Sequence, residues 1–283
     1  RMRALTYHGS NDDGRGDFRV EDVPDPSVGP GMVRLDVEWC GICGSDLHEF
    51  EAHTVSGYAP PIIIGHEFAG TVAEVGEGVE AVSVGDRVAV EPFLRCNACE
   101  ACLADQYHLC PSLTVVGAQA TDGGFAQRAI VPAYAVHVLP ASVPTDVGAL
   151  VEPLAVGWHA LRKGHFSAGQ SVLVIGAGPI GLTSLLCAQA MEASLVAVSV
   201  RRAGARAEAA SDLGADAVLA SSADDVAARI MELTDGRGVD VVIETSGAPE
   251  AMTTAIGAVR AGGTIVSVAV WLAPAPCDYM QLL

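Results

Sequence analysis

A group of four closely spaced cysteines carries the clearest chemical signal in this chain of 283 residues. The segment CNACEACLADQYHLC gives them the spacing C-x₂-C-x₂-C-x₇-C, at Cys96, Cys99, Cys102 and Cys110. Four thiolates complete a tetrahedral shell around one Zn²⁺ and leave no position for water, so such a site supports structure and does no chemistry. Buried thiols or disulfides are the alternatives, since the chain has 8 cysteines in all. In an intracellular protein this spacing favours a metal, and we predict a structural zinc.

A second set of residues predicts a catalytic metal. Catalytic zinc takes three protein ligands and keeps a fourth position for water or substrate. Cys43 in GICGSDLH and His66 in GHEFAG are the first two candidates, and Glu152 in the apolar run LVEPLAVGWHAL is the third. An unpaired buried charge is costly, so this setting indicates a metal or a partner for the acid. A salt bridge at a hinge between domains is the alternative for Glu152.

Polar neighbours of these candidates could serve the same site. Glu67 adjoins His66 and could ligate the metal transiently or lie just behind it. Asp46 could orient His66 by accepting the other ring N–H, as carboxylates do for many metal-bound histidines. Ser45 and His48 supply a hydroxyl and an imidazole within a few residues of Cys43, a combination suited to passing a proton outward.

A glycine-rich turn predicts a bound dinucleotide. Gly176, Gly178 and Gly181 form G-x-G-x-x-G directly after the apolar run SVLVI and before a helical run. The first glycine allows a tight turn, the second lets the backbone approach a pyrophosphate, and the third lets helix and strand pack closely. Pro179 and Ile180 complete the turn at the helix N-terminus, which faces the phosphate charge. A plain structural turn is the alternative.

The residues about 20 positions further on favour NADP(H) over NAD(H). An acid usually binds the ribose hydroxyls of NAD at this position, but here Val200 is followed by Arg201 and Arg202. No carboxylate would repel a 2′-phosphate, and two guanidinium groups could bind it. The alternative is that both arginines are merely solvated at a strand end.

The pattern of the rest of the chain predicts two domains. Residues 1–150 contain short alternating strands broken by Gly and Pro, which is typical of an all-β unit. After the run ALVEPLAVGWHALRKG, strands alternate with helix-length segments, which indicates a doubly wound parallel sheet. The predicted fold class is therefore α/β plus β, with domains at 1–153 and 154–283.

Composition and charge exclude several functions. Acidic residues outnumber basic ones 34 to 16, a formal charge of −18, which argues against a nucleic-acid partner. No uncharged apolar run reaches the ~18 residues that a membrane span needs, so no membrane partner is expected. The polar opening segment RMRALTYHGSNDDGRGD lacks a signal-peptide pattern, and we expect a cytoplasmic protein.

Together the motifs resemble the zinc-dependent medium-chain dehydrogenase/reductase (alcohol dehydrogenase) superfamily across nearly the whole chain. The segments that carry the resemblance are CGICGSDLH, GHEFAG, GDRVAVEP, the four-cysteine segment and GAGPIGL. Within the superfamily, ALVEPLAVGWHA is similar to the polyol branch, and DLHEF and GTIVSVAVW favour 2,3-butanediol dehydrogenase.

The resemblance implies a GroES-like β domain that carries two zinc ions, one catalytic and one structural, and a Rossmann domain, with the active site in the cleft between them. By position, the catalytic zinc set is matched by Cys43, His66 and Glu152. Glu67 matches the neighbouring second acid. Ser45 and His48 match a proton relay, to which water near Glu67 is an alternative route. Cys40 matches no ligand position and is interpreted as a buried thiol.

The resemblance also implies an activity and an assembly. We expect a hydride transfer between NAD(P) and a small secondary alcohol or ketone, such as 2,3-butanediol, acetoin or diacetyl. A sorbitol- or threonine-type dehydrogenase and a truncated, non-catalytic NADP-binding protein are the alternatives. Family members continue beyond APAPCDYMQLL, so we expect a Rossmann domain that lacks its C-terminal portion, and a homodimer or homotetramer for a full-length form.

Overall fold

Short apolar runs that alternate with polar residues, separated by glycine and proline turns, become the strands of the first half of the chain. The computed structural model describes residues 1–51, 57–119, 121–221, 225–277 and 280. The chain divides into two units, Arg1–Glu152 and Pro153–Leu283, which are described separately below.

The first unit consists mainly of antiparallel β-structure with three short α-helices in its described part. Its strands are β1 (Met2–Ser10), β2 (Gly16–Val23), β3 (Met32–Gly41), β4 (Ile62–Ile63), β5 (Glu67–Val75), β6 (Arg87–Val90), β7 (Phe93–Leu94), β8 (Thr114–Val115), β9 (Arg128–Pro132) and β10 (Val136–Val138). Its helices are α1 (Gly44–Phe50), α2 (Glu100–Leu103) and α3 (Thr145–Gly148).

The strands of the first unit form three sheets among the described residues. The largest has the order β10-β6-β5-β3-β9, and the others are β2-β1-β4 and the pair β7-β8. The core of the largest sheet is built from alternate positions of neighbouring strands, such as Val33 and Leu35 of β3, Phe68 and Val72 of β5, and Val88 of β6. The alternation places these side chains on one face, as the period of two along a strand requires.

The second unit contains a parallel sheet with helices on both faces. Its strands are β11 (Ser171–Ile175), β12 (Leu195–Val200), β13 (Ala217–Ala220), β14 (Val239–Glu244) and β15 (Val259–Ser267). The helices that accompany them are α4 (Val151–Lys163), which begins in the first unit, α5 (Pro179–Ala190), α6 (Ala205–Asp212), α7 (Val226–Leu233) and α8 (Ala251–Ala258).

All the strand pairs of this sheet are parallel, in the order β13-β12-β11-β14-β15. Alternate residues of β11 enter two different cores, with Val172 packing among residues of α5 and Leu173 among residues of α7 and α8. A strand covered on both faces reads as a continuous apolar run, which is why SVLVI does not alternate. The predicted fold class, a β domain plus a doubly wound α/β domain, is confirmed.

None of the helices in the described residues has the length and apolar character that crossing a lipid bilayer requires.

One buried carboxylate ties β14 to β11 in the second unit. Asp240 is 5% exposed and accepts hydrogen bonds from the backbone N–H and the hydroxyl of Ser171, at 2.8 and 2.9 Å. It also accepts from Arg260 Nε at 2.7 Å and from Arg237 Nη2 at 3.1 Å. Burial raises the pKa of Asp240, but the hydrogen bonds from Ser171 and Arg260 outweigh it and lower the pKa from 3.8 to about 2.

We therefore expect Asp240→Asn to lower the free energy of unfolding by about 2 kcal/mol at neutral pH. Because the pKa is lower in the folded than in the unfolded protein, the ionised group stabilises the fold above about pH 4 and this stabilisation is lost as the pH falls towards 2. Urea unfolding at pH 7 and pH 3 measures both effects, and the difference from wild type should shrink at the lower pH. Glu208→Gln, which changes an exposed acid of α6, is the control, and its free energy of unfolding should stay within about 0.5 kcal/mol of wild type.

Candidate metal centres and cofactor site

The four predicted zinc ligands of the cysteine segment, which we call the cysteine lobe (residues 96–110), meet at one point. Cys99 precedes α2, Cys102 lies within it, and Cys110 follows a 3₁₀ turn at Tyr107–Leu109. The Sγ atoms are 3.5 Å apart for Cys99 and Cys102, 3.6 Å for Cys110 and Cys96, and 3.8 Å for Cys96 and Cys102. None of these cysteines forms a disulfide.

These distances fit a zinc ion. Ligands at about 2.3 Å from a tetrahedral Zn²⁺ stand about 3.8 Å from one another, whereas disulfide sulfurs are about 2.05 Å apart. The backbone N–H groups of Ala98 and Cys99 lower the pKa of the Cys96 thiol to about 6, whereas burial and the neighbouring thiols raise the pKa of Cys102. The donor set and its geometry therefore suit one structural metal.

An arginine that the sequence patterns did not single out attaches the lobe to the rest of the first unit. The guanidinium carbon of Arg95 lies 3.9 Å from the ring centre of Tyr107 in the lobe and 4.7 Å from that of Tyr134 after β9. Its Nη1 also pairs with Glu91 at 3.4 Å. A guanidinium between two aromatic faces is held by cation–π attraction to both, so Arg95 helps to position the lobe independently of its metal.

A second group of ligand atoms lies where α1 and β5 begin. Cys43, His66 and Glu67 each offer one ligand atom within 4.8 Å of the others. The register of β3 with β5 pairs Gly41 with Glu67, which brings the residues just after β3 to the residues at the start of β5. A side chain at Gly41 would overlap the carboxylate of Glu67, so the glycine makes room for that acid. We call this group the Cys43 centre.

The Cys43 centre is partly buried, and its two acidic ligand types have shifted pKa values. Burial raises the pKa of the Cys43 thiol to about 11, and it also raises the pKa of Glu67. The Nδ1 atom of His66 is buried without a hydrogen-bond partner in the described part of the chain. A divalent cation would stabilise the ionised thiolate and carboxylate, and it would bind a ring nitrogen of the imidazole. The residues therefore fit a zinc ion.

Glu152, the predicted third ligand, is not part of this group of ligand atoms. It lies in the first turn of α4, and burial raises its pKa to about 7, while His66 lowers the pKa and Glu67 raises it. Its carboxyl group is thus close enough to both residues to interact with their charges. Of the three predicted ligands, the structure groups Cys43 and His66 with Glu67 and leaves Glu152 beside them.

The remaining predicted residues of this centre lie on α1. Asp46 is 4% exposed, and its carboxylate accepts a hydrogen bond from the backbone N–H of Cys43 at 2.9 Å. Burial raises the pKa of Asp46, and the imidazole of His66 lowers it, so the two groups are close enough for their charges to interact. Ser45 lies close enough to Cys43 to hydrogen-bond its thiol, and His48 lies in the last turn of the same helix.

The glycine turn of the second unit has the backbone geometry that a dinucleotide site requires. Gly176 has a φ of +103°, which disfavours any residue with a side chain. A Cβ at Gly181 would overlap the carbonyl oxygen of Gly176, whereas nothing lies within 4 Å of a Cβ at Gly178. Pro179 opens α5 directly after Gly178, and Ile180 follows it, so the free N–H groups of the first helical turn adjoin the open space at Gly178.

A cavity of about 430 Å³ adjoins this turn at the carboxyl ends of the strands. It is lined by Gly176, by Val200 at the end of β12, and by residues that follow β12, β13 and β14, including Arg201, Ser221 and Ser246. Arg201 is thus part of the cavity wall, and Arg202 is not among its lining residues in the described chain. Glu250, which the sequence patterns did not single out, also lines the cavity.

The residues that hold this cavity in shape come from a segment that carries no recognised pattern. The hydroxyl of Thr245 donates to the carbonyl oxygens of Ile175 and Gly176, at 2.9 and 3.2 Å. The carboxylate of Glu244, which is fully buried, accepts hydrogen bonds from the backbone N–H and the hydroxyl of Ser246, both at 2.7 Å. The Thr245 bonds attach the wall after β14 to the glycine turn after β11, and the Glu244 bonds fix the shape of that wall.

Family models match most of both units. The alcohol dehydrogenase GroES-like domain matches residues 29–141, and the zinc-binding dehydrogenase domain matches residues 179–283.

Curated relatives and solved structures agree with these matches. The (R,R)-butanediol dehydrogenase of Neisseria gonorrhoeae is 38% identical over 92% of this chain and 77% of its own length. The L-threonine 3-dehydrogenase of Pyrococcus abyssi is 42% identical over 93% of this chain and 74% of its own length. The crystal structure of 2R,3R-butanediol dehydrogenase from Bacillus subtilis superposes with a TM-score of 0.90 at 35% identity, covering 100% of this chain and 81% of that one.

Proposed function

This chain belongs to the zinc-dependent medium-chain dehydrogenase/reductase (alcohol dehydrogenase) superfamily, and from that premise we propose that it interconverts 2,3-butanediol, acetoin and diacetyl with a nicotinamide cofactor. The relatives support the more general conclusion that the chain is an oxidoreductase acting on CH–OH groups. The observation that carries the proposal is the Cys43 centre, in which ligand atoms of three different types lie within 4.8 Å of one another.

The residues in and around the Cys43 centre have separate roles in this proposal. Zinc and nicotinamide, when bound, supply a Lewis acid and a hydride acceptor. Cys43 and His66 would hold the metal, and the third position would be taken by the carboxylate of Glu67, which lies within 4.8 Å of both, or by that of Glu152, which lies close enough to His66 for their charges to interact. Ser45 and His48 carry the hydroxyl proton of the alcohol outward along α1, with water near Glu67 as the alternative route.

The cofactor proposal is NADP(H) rather than NAD(H). Val200 stands where an acid would repel a 2′-phosphate, and the guanidinium of Arg201 lines the cavity beside it. A hydrogen bond to a charged partner contributes about 1.5–3 kcal/mol where water is excluded and less in an open cavity. We therefore assign the 2′-phosphate contact to Arg201, with Arg202 contributing at longer range.

Arg201→Ala is expected to raise the KM for NADPH about tenfold, which corresponds to about 1.4 kcal/mol, and to change the KM for NADH less than about threefold. The comparison of the two cofactors separates loss of the phosphate contact from general damage to the cavity. Arg202→Ala is the matched control, since it removes the same charge from a residue outside the cavity wall. Equal effects of Arg201→Ala on both cofactors would contradict the assignment.

The test of the function itself is a direct assay. NADPH and NADH consumption should be followed separately with acetoin and with diacetyl, with and without a zinc chelator. In parallel, the oxidation of L-threonine and of sorbitol should be followed with NADP⁺ and with NAD⁺. Chelator-sensitive turnover of acetoin or diacetyl supports the proposal. Turnover confined to L-threonine favours the second candidate, which the 42% identity to a threonine 3-dehydrogenase motivates. A folded protein that binds one zinc and no substrate would favour a non-catalytic NADP-binding protein.

A further inference from the structure

A tyrosine outside every recognised motif contacts a carboxylate beside the Cys43 centre. The hydroxyl of Tyr58 donates a hydrogen bond of 2.9 Å to Oδ1 of Asp46. The other oxygen of the same carboxylate, Oδ2, accepts the backbone N–H of Cys43 at 2.9 Å. Because each oxygen has its own donor, the plane and the direction of the buried carboxylate are set from both sides.

The direction of this carboxylate matters for the metal ligands. Asp46 is the third residue of α1, and its carboxylate bonds back to Cys43 at the start of the helix. Through the Cys43 N–H bond the same carboxylate also fixes the backbone that carries the thiol. Carboxylates that hydrogen-bond to the residues of a metal site commonly tune the affinity of the metal, and their own orientation is part of that effect.

The surroundings of Tyr58 keep its hydroxyl in place as a donor. Its ring stands edge-on to Tyr7, with ring centres 5.9 Å apart and an angle of 80° between the rings, and it packs against the core of Ile62 and Ile64. The next residue, Ala59, donates its backbone N–H to Ala118 at 3.1 Å. Burial raises the pKa of Tyr58, and the charge of Asp46 raises it further, so the hydroxyl keeps its proton at neutral pH.

We propose that Tyr58 is a positioning residue of the Cys43 centre, which acts through Asp46 to hold Cys43 in the geometry that binds the metal. The proposal rests on the proposed function, because it presupposes that the centre binds zinc. Loss of a hydrogen bond behind a metal ligand typically lowers metal affinity by about 10- to 100-fold. We expect a loss of that size in Tyr58→Phe, and no change in the affinity of the cysteine lobe.

The experiment measures zinc rather than activity. The full chain, loaded with zinc, is dialysed against chelators of increasing strength, and the zinc per chain is counted at each step by mass spectrometry. Tyr58→Phe should release one zinc at about 10- to 100-fold higher free-zinc concentration than wild type, while the second zinc is retained as in wild type. Tyr7→Phe is the matched control, since its hydroxyl contacts Glu49 at 3.3 Å and not Asp46. Thermal melting confirms that both variants are folded.

A double-mutant cycle separates positioning through Asp46 from a merely structural role. If Tyr58 acts through Asp46, Asp46→Asn combined with Tyr58→Phe should weaken zinc binding no further than Asp46→Asn alone, whereas independent effects would multiply. In steady-state kinetics Tyr58→Phe should lower kcat and leave the KM for the cofactor unchanged.

Two results are decisive. A release curve of Tyr58→Phe that coincides with wild type, or multiplicative effects in the cycle, overturns the inference. Failure of the proposed function is recognised separately with Cys43→Ala, because that variant must lose one zinc if the centre binds metal at all. A wild-type zinc count in Cys43→Ala would therefore remove the basis of both proposals, whereas its loss together with an unchanged Tyr58→Phe would remove only this one.

Discussion

Replacement of Cys43 by alanine is expected to remove one of two zinc ions per chain and to lower kcat/KM by about a thousandfold or more. Lewis-acid stabilisation by a metal contributes several kcal/mol to a reaction of this kind, and each 1.4 kcal/mol corresponds to about a factor of ten in rate. Without the thiol, the ligand group keeps only His66 and Glu67, with Glu152 nearby. Metal counting and steady-state kinetics on the same preparation measure both effects.

Two further variants make this result specific. Cys40→Ala removes a neighbouring half-buried thiol that is not part of the Cys43 centre, and it should keep both zinc ions and most of the activity. Cys99→Ala should lose the other zinc and destabilise the cysteine lobe, since structural zinc sites contribute directly to folding energy. Wild-type turnover in Cys43→Ala would contradict the assignment of the catalytic metal.

The second large effect is expected at the glycine turn of the second unit. Gly181→Ala should lower the free energy of unfolding by about 3 kcal/mol, because the new Cβ overlaps the carbonyl oxygen of Gly176 and forces the helix away from the strand. The affinity for NADPH should fall with it. Urea unfolding and a fluorescence titration with NADPH measure the two effects.

Gly178→Ala is the matched variant in the same turn. Gly178 has an extended backbone with φ of −78°, and a Cβ there meets no protein atom within 4 Å. The free energy of unfolding of Gly178→Ala should therefore change by less than about 0.5 kcal/mol. NADPH binding should weaken by at least about tenfold, because the new Cβ occupies the space through which the backbone approaches the pyrophosphate. If both variants bind NADPH as wild type does, the cofactor is not held by this turn.

Features encoded over short distances in the chain were accessible from the sequence. The spacing of the cysteines within 15 residues predicts one ligand set, and the structure brings all four Sγ atoms together. The glycine pattern after an apolar run predicts a strand, a tight turn and a helix, which are β11, the turn at Gly176 and α5. The alternation of strands and helices predicts the fold class in the same way, because each element is specified by its own periodicity.

Contacts between distant segments depended on the fold. The β3–β5 register places Gly41 opposite Glu67 and so brings Cys43 to the neighbouring pair His66 and Glu67, a pairing of strands that the local spacing does not indicate. The sequence singled out Glu152 as the third ligand from its apolar setting, and the structure places its carboxyl beside the ligand group rather than within it. An apolar setting shows that a charge is buried, but not which atoms surround it.

The residues that support the sites were found only in the structure. Tyr58 reaches Asp46 across 12 positions, and Arg95 lies between rings of Tyr107 and Tyr134. Tyrosine and arginine carry no periodic signature for such contacts, because a hydrogen bond or a cation–π contact depends on where a folded backbone directs a side chain. The sequence by itself determined which ligand types and which backbone turn this protein has. The tertiary structure decided which acids lie beside Cys43 and His66 and which side chains support them, because strand register and packing bring distant segments of the chain together.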